Sequence, residues 1–63
     1  MNLKDYDRKN IVLTNGAGDK FKGICYYCDK EDYEAAEDGL ELKVGNDICI
    51  FYESDINSIE IMK

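Results

Sequence analysis

Sixty-three residues make one domain, and a chain this short buries only about 60% of the surface that its unfolded form exposes. Fourteen acids, eight bases and no histidine leave a net charge of −6, which repels nucleic-acid phosphate and anionic membrane and excludes Ser-His or Cys-His nucleophiles within one chain. No apolar run approaches the roughly 18 residues of a membrane span, and the N-terminal stretch Met-Asn-Leu-Lys-Asp-Tyr-Asp-Arg-Lys is charged, without a signal-peptide core. The chain is therefore expected in the cytoplasm with its thiols reduced, and its three cysteines, an odd number, do not make a closed disulfide framework.

Residues 2–8 predict a short helix, capped by Asn2, whose apolar side is Leu3 and Tyr6; it is too short to stand without leaning on a sheet. Lys9–Thr14 reads as a first strand. Asn15-Gly16-Ala17-Gly18-Asp19 is turn material and makes a hairpin into Lys20–Asp29. This second strand is long and has one glycine, Gly23, where it can bend and let another backbone approach. Lys30–Asp38 is acidic, carries no apolar stripe and reads as a solvated loop. Gly39–Val44 alternates, with Leu40, Leu42 and Val44 on one face and Glu41 and Lys43 on the other. After the turn Gly45-Asn46-Asp47, the strand Ile48–Glu53 is apolar on both faces and is expected to be covered on both. Ser54–Asn57 reads as a 3₁₀ turn with Ile56 inward, and Ser58–Met62 as a last strand with Ile59 and Ile61 inside. The expected fold is mainly β: a five-stranded SH3-like barrel with a short helix in front and a 3₁₀ turn before the fifth strand.

Two stretches resemble the Sm/LSm family, including its Hfq branch. Phe21, Gly23, Cys25, Cys28 and Asp29 fill, in order, the apolar, glycine, apolar, apolar and aspartate slots of the first Sm motif. Tyr52-Glu53-Ser54-Asp55-Ile56-Asn57-Ser58-Ile59 is similar to the Hfq run of tyrosine, lysine, histidine, alanine, isoleucine, serine, threonine and valine. The resemblance implies an Sm-like barrel and ring assembly through the edges of the fourth and fifth strands. Its departures bear on function. Asp32 and Tyr33 stand where the motif wants an apolar residue and a base-gripping asparagine. Glu53 and Ser54 replace the Hfq lysine and histidine, and the arginine-glycine pair of other members is missing. Uridine recognition needs exposed planar groups in positive potential, so RNA binding does not follow from the resemblance.

Cys25-Tyr26-Tyr27-Cys28 has the C-x-x-C spacing of zinc and thioredoxin-type sites. Both need a turn or helix start, whereas here the pair lies in a strand, where a spacing of three sends side chains to opposite faces. A bend at Gly23 would instead turn both inward as small buried hydrophobes. With Cys49 there are three thiols, one ligand short of a structural zinc site. The acidic run Asp29, Glu31, Asp32, Glu34, Glu37 and Asp38 lacks the EF-hand order, with Glu34 at the glycine position. Its carboxylates have no apolar pocket to raise a pKa. The Asn15–Asp19 loop, with Asp19 and no following helix, makes a poor phosphate cradle. Tyr26, Tyr27, Tyr33 and Tyr52 match the aromatic supply of a proline-peptide site, but the preferred reading is that Tyr26, Tyr27 and Tyr52 cover the barrel and meet a neighbouring subunit with their rings.

The reading that follows is a non-enzymatic module without cofactor, metal or evident small-molecule substrate. It self-assembles or binds a protein partner through barrel edges, with Ile48, Ile50, Phe51, Tyr52, Ile59 and Ile61 as the candidate interface. Two alternatives stand beside it. One is a divergent Sm-like RNA-binding protein using Lys4, Arg8, Lys9, Lys20 and Lys22, if they cluster on one face. The other is a thiol metal module built from Cys25, Cys28 and Cys49.

Overall fold

A computed structural model describes residues 2–62. A 3₁₀ turn, Leu3–Tyr6, opens the chain, with the Asn2 side chain accepting from the Lys4 amide. This is one turn of the expected helix: Leu3 is buried and Tyr6 packs on the same core, so the turn is held by the sheet below it. Five strands follow: β1 (Asn10–Asn15), β2 (Lys20–Cys28), β3 (Gly39–Val44), β4 (Asp47–Tyr52) and β5 (Ile56–Ile61). A second 3₁₀ turn precedes β5, as the sequence predicts, but it spans Glu53–Asp55 rather than Ser54–Asn57, so Ile56 and Asn57 already belong to the strand. All neighbours are antiparallel, in the order β4-β3-β2-β1-β5.

The long strand changes partner midway. Its first half, Lys20–Ile24, pairs with Thr14–Asn10 of β1, and its second half, Cys25–Cys28, pairs with Leu42–Gly39 of β3. Gly23 sits just before the changeover, against the backbone of β3, and a β-carbon there would collide with the Lys43 carbonyl oxygen. Arg8 and Lys9 continue the β1 side: the Arg8 amide donates to the Cys25 carbonyl at 2.7 Å, and the Cys25 amide to the Lys9 carbonyl at 3.0 Å. One strand thereby carries both halves of the sheet over a shared core of Leu3, Ile11, Leu13, Cys25, Leu40, Leu42 and Ile56, flanked by Phe21, Tyr27, Val44, Phe51 and Ile59. The radius of gyration, 10.6 Å, is that of a fully compacted chain of this length, so the sheet curls around its core rather than lying flat.

The sheet is not closed into a barrel. β4 pairs only with β3 and β5 only with β1, so each leaves one edge free. The span between them is occupied by the second 3₁₀ turn and the β1–β2 turn, whose Gly16 amide donates to the Asp55 carbonyl at 3.0 Å. Two further expectations are corrected. Ile61, expected inside, is exposed, because it lies at the end of an edge strand while Ile59 reaches the core. The face of β4 carrying Ile48, Ile50 and Tyr52 is not covered along its length; all three side chains are exposed.

The acidic segment after β2 is hydrogen-bonded to itself and to its neighbours. Asp29 accepts from the Glu31 amide at 2.8 Å through its side chain and from the Tyr33 amide at 3.2 Å through its carbonyl. Asp38 Oδ1 accepts from the Lys30 amide at 3.0 Å. Farther on, Glu37 Oε1 accepts from both the amide and the hydroxyl of Ser54, at 2.8 and 2.6 Å, which ties the loop to the second 3₁₀ turn.

Candidate functional site

Alternation along β2 and β4 divides their side chains between two faces. Phe21, Cys25 and Tyr27 of β2 and Phe51 of β4 turn to the core, where the Phe21 and Phe51 rings meet with centroids 4.9 Å apart. Ile24, Tyr26 and Cys28 turn the other way, as do Glu41 and Lys43 of β3 and Ile48, Ile50 and Tyr52 of β4. The register sets these outward residues in rows across three strands: Cys28–Gly39–Tyr52, then Tyr26–Glu41–Ile50, then Lys43 beside Ile48. Ile24, Tyr26, Tyr33, Ile48, Ile50 and Tyr52 are between 37% and 64% exposed, an apolar surface on one side of a small protein.

Cys25 and Cys28 are both buried, at 0% and 4% exposure, but on opposite sides of the sheet. Cys25 is part of the main core, with its thiol 2.8 Å from the Tyr6 carbonyl. Cys28 lies outside that core, under the folded loop, where Tyr33, Ala35, Ile50 and Tyr52 surround a space of about 10 Å³, at the lower limit for one water. The expectation that the bend turns both thiols into one core is therefore corrected. The partner change falls before Cys25, so the stretch between the cysteines is regular strand and the odd spacing separates them. Cys49 is half-buried on β4, opposite Leu42. Among the described residues no three Cys, Asp or Glu side chains come together as metal ligands.

Burial raises the pKa of both β2 thiols. The nearby Cys28 raises that of Tyr33. Tyr27, whose hydroxyl lies 3.4 Å from Asp29 Oδ2, is pushed up to about 12, by desolvation first and then by the charges of Asp38 and Asp29. The two hydrogen bonds from Ser54 lower the pKa of Glu37.

Of the candidate interface residues, Ile48, Ile50 and Tyr52 share the exposed face of β4, Ile61 is exposed on β5, and Phe51 and Ile59 are half-buried against the core. A cleft of about 420 Å³ opens between Ile50 and Phe51 of β4 on one side and Asn15, Gly16, Ala17, Ser54 and Asp55 on the other. The five candidate RNA-contacting bases are divided among elements. Lys20 and Lys22 lie on β2, with Lys20 Nζ 3.2 Å from the Thr14 hydroxyl; Lys4 is on the first 3₁₀ turn; Arg8 and Lys9 belong to the segment before β1, where Arg8 pairs with Asp7 at 3.3 Å. Glu60 joins the row of Lys22 across Val12. Among the described residues no helix is long and apolar enough to cross a membrane. The outward apolar surface and the loop fold over Cys28 were missed in the sequence; the signal for the second was Tyr33, an aromatic side chain three residues beyond Lys30 in an otherwise charged run.

No family model matches this sequence, and neither a curated protein nor a solved structure matches it.

Proposed function

We propose that this chain is a small non-enzymatic interaction module of Sm-like layout that assembles with copies of itself through the free edges of β4 and β5. The observation that carries the reading is the pair of unpaired edges, on β4 and β5, at the two ends of one curled sheet. Unpaired strand edges template pairing with another chain, and nothing charged interrupts the interior of β4 from Ile48 to Tyr52. Pairing β4 of one copy with β5 of the next is a head-to-tail contact, which closes into a ring when the rotation allows. A chain with so small a core also gains from burying surface against a neighbour.

The non-enzymatic part of the reading is supported by the absence of histidine and by the raised pKa of the Cys25 and Cys28 thiols, the wrong direction for a nucleophile. The cytoplasm remains the proposed compartment, from the reduced-thiol argument.

Size-exclusion chromatography with light scattering at micromolar concentration tests this. The expected result is a mass several times that of one chain, reduced toward one chain by the paired change Ile48→Lys and Ile61→Lys at the two edges. A single-chain mass at every concentration overturns the proposal.

A further inference from the structure

The β1–β2 turn carries a reactive pair that the strand edges do not use. Of the five asparagines, Asn15 alone is followed by glycine. An asparagine so placed can lose its side-chain amide to the chain itself. The backbone nitrogen of the next residue attacks the side-chain carbonyl carbon, and glycine has no side chain to block the approach.

In the folded chain both reacting groups are held. The Gly16 amide, which is the nucleophile, donates to the Asp55 carbonyl at 3.0 Å. Asn15 Oδ1 accepts from the Ala17 amide at 3.0 Å and from the Asp19 amide at 2.9 Å. The Asn15 backbone is fixed as well: its amide donates to the Asp19 carbonyl and its carbonyl accepts from the Gly18 amide, each at 3.0 Å. Asn15 also stands in the ladder opposite Ile56 of β5. To react, the Gly16 nitrogen must shed its proton and move onto Cγ of Asn15. That breaks its bond to Asp55 and turns the Asn15 side chain away from Ala17 and Asp19. Gly16 itself is exposed, so water reaches the site once the turn opens.

From this juxtaposition we infer that Asn15 is a deamidation site guarded by the fold, which reacts when the β1–β2 turn comes away from Asp55. The Gly16 nitrogen bonds to Asn15 Cγ, the Cγ–Nδ2 bond breaks, and the side-chain nitrogen leaves as ammonia with the displaced proton. The cyclic imide that remains takes up one water, which opens it at either carbonyl to aspartate or isoaspartate. Either product adds one negative charge to a chain already at −6. The isoaspartyl form also lengthens the main chain by one carbon, where the β1–β5 ladder already shifts register. It carries the Gly16 amide away from the Asp55 carbonyl, next to the start of β5. A transient opening is thereby converted into a lasting loss of that tie.

The whole chain is incubated in mildly alkaline buffer with no urea, with sub-denaturing urea and with denaturing urea. Peptide mass spectrometry reads the conversion at each asparagine, chromatography separates aspartyl from isoaspartyl peptides, and amide hydrogen exchange reads the opening of Gly16. Deamidation of the native chain is expected at Asn15 and at least about tenfold slower than in the unfolded chain. In sub-denaturing urea it should rise in step with exchange of the Gly16 amide. Gly16→Ala, which meets open space in the fold, should slow the reaction of the unfolded chain by hindering the attacking nitrogen. The isolated isoaspartyl protein should unfold at lower urea than the unmodified one. Equal rates in native and unfolded chains, conversion centred on another asparagine, native deamidation while the Gly16 amide stays protected, or an isoaspartyl form of unchanged stability would each overturn the inference.

Discussion

Gly23 lies against the carbonyl oxygen of Lys43, so closely that a β-carbon would overlap that oxygen. The contact occurs where β2 leaves β1 and takes up β3, and it lets one strand serve both halves of the sheet. The obstructing atom belongs to the backbone of a paired strand and cannot rotate away. Gly23→Ala is therefore expected to destabilise the fold by more than about 1–3 kcal/mol, the usual cost of overpacking. Gly16→Ala, with open space around its α-carbon, should cost far less. Urea unfolding of both variants measures the difference. Equal midpoints would mean that the close approach is not part of the folded state.

The two β2 cysteines should respond differently to the same substitution. The Cys25 thiol lies 2.8 Å from the Tyr6 carbonyl, so a serine hydroxyl there inherits an acceptor, and Cys25→Ser should be no worse than Cys25→Ala. Cys28 has the Tyr26 carbonyl at 3.7 Å, with the Tyr33 hydroxyl and the Glu41 backbone as its other polar neighbours, and the shorter C–O bond draws a serine hydroxyl back from that carbonyl. Cys28→Ser should therefore cost about 1–3 kcal/mol, and Cys28→Ala less. The test is the order of the four unfolding midpoints. An inverted order at Cys28 would mean that a hydroxyl there finds a partner, in Tyr33 or in water.

Thiol modification gives an independent reading of the same geometry. Burial keeps Cys25 and Cys28 protonated and shielded, while Cys49 is only half-buried. In the native protein a thiol-reactive disulfide reagent should modify Cys49 first, with the other two following on unfolding. Peptide mass mapping after brief exposure identifies the modified residue.

Glu37 connects the acidic loop to the second 3₁₀ turn through Ser54. Its pKa is lowered by those hydrogen bonds, so the folded state binds the proton less tightly than the unfolded state. The contact's contribution is present above the ordinary carboxylate range and is lost as pH falls through the lowered folded value. Glu37→Gln should flatten the acid side of the stability profile and leave the neutral plateau nearly level. Thermal unfolding from neutral pH to about pH 3 records it, and an unchanged acid limb would detach Glu37 from Ser54 in solution.

Tyr27 should be the last tyrosine to ionise. Its pKa is pushed up to about 12 by desolvation and by Asp38 and Asp29, from an ordinary phenol value near 10. A raised folded value stabilises the protein below the ordinary pKa, and that contribution disappears as pH rises toward 12. Ultraviolet titration of the phenolate should show a late step that is absent in Tyr27→Phe and moves to lower pH in Asp38→Asn.

Several features were legible in the chain because they depend on neighbours in sequence. Alternation placed Leu40 and Leu42 in the core, Gly45 at positive φ makes the expected turn between β3 and β4, and the bounds Gly39–Val44 are those observed. The fate of β4 and β5 was not legible, because covering an apolar face or closing a seam depends on which strands meet after folding. Ile48 and Ile50 look like core residues to any local reading, yet no second layer lies over them.

The order of polar and apolar residues, the turn glycines and the absence of histidine decided by themselves that this would be a small β-protein with no imidazole chemistry, since strand period, turn conformation and side-chain chemistry are local properties. The tertiary structure alone decided that Cys25 and Cys28 part company, that the acidic loop folds over one of them, and that two edges and one apolar face stay open. Each depends on where β2 exchanges one partner for another, which is set by the packing of Gly23 against a distant backbone and not by the residues beside it.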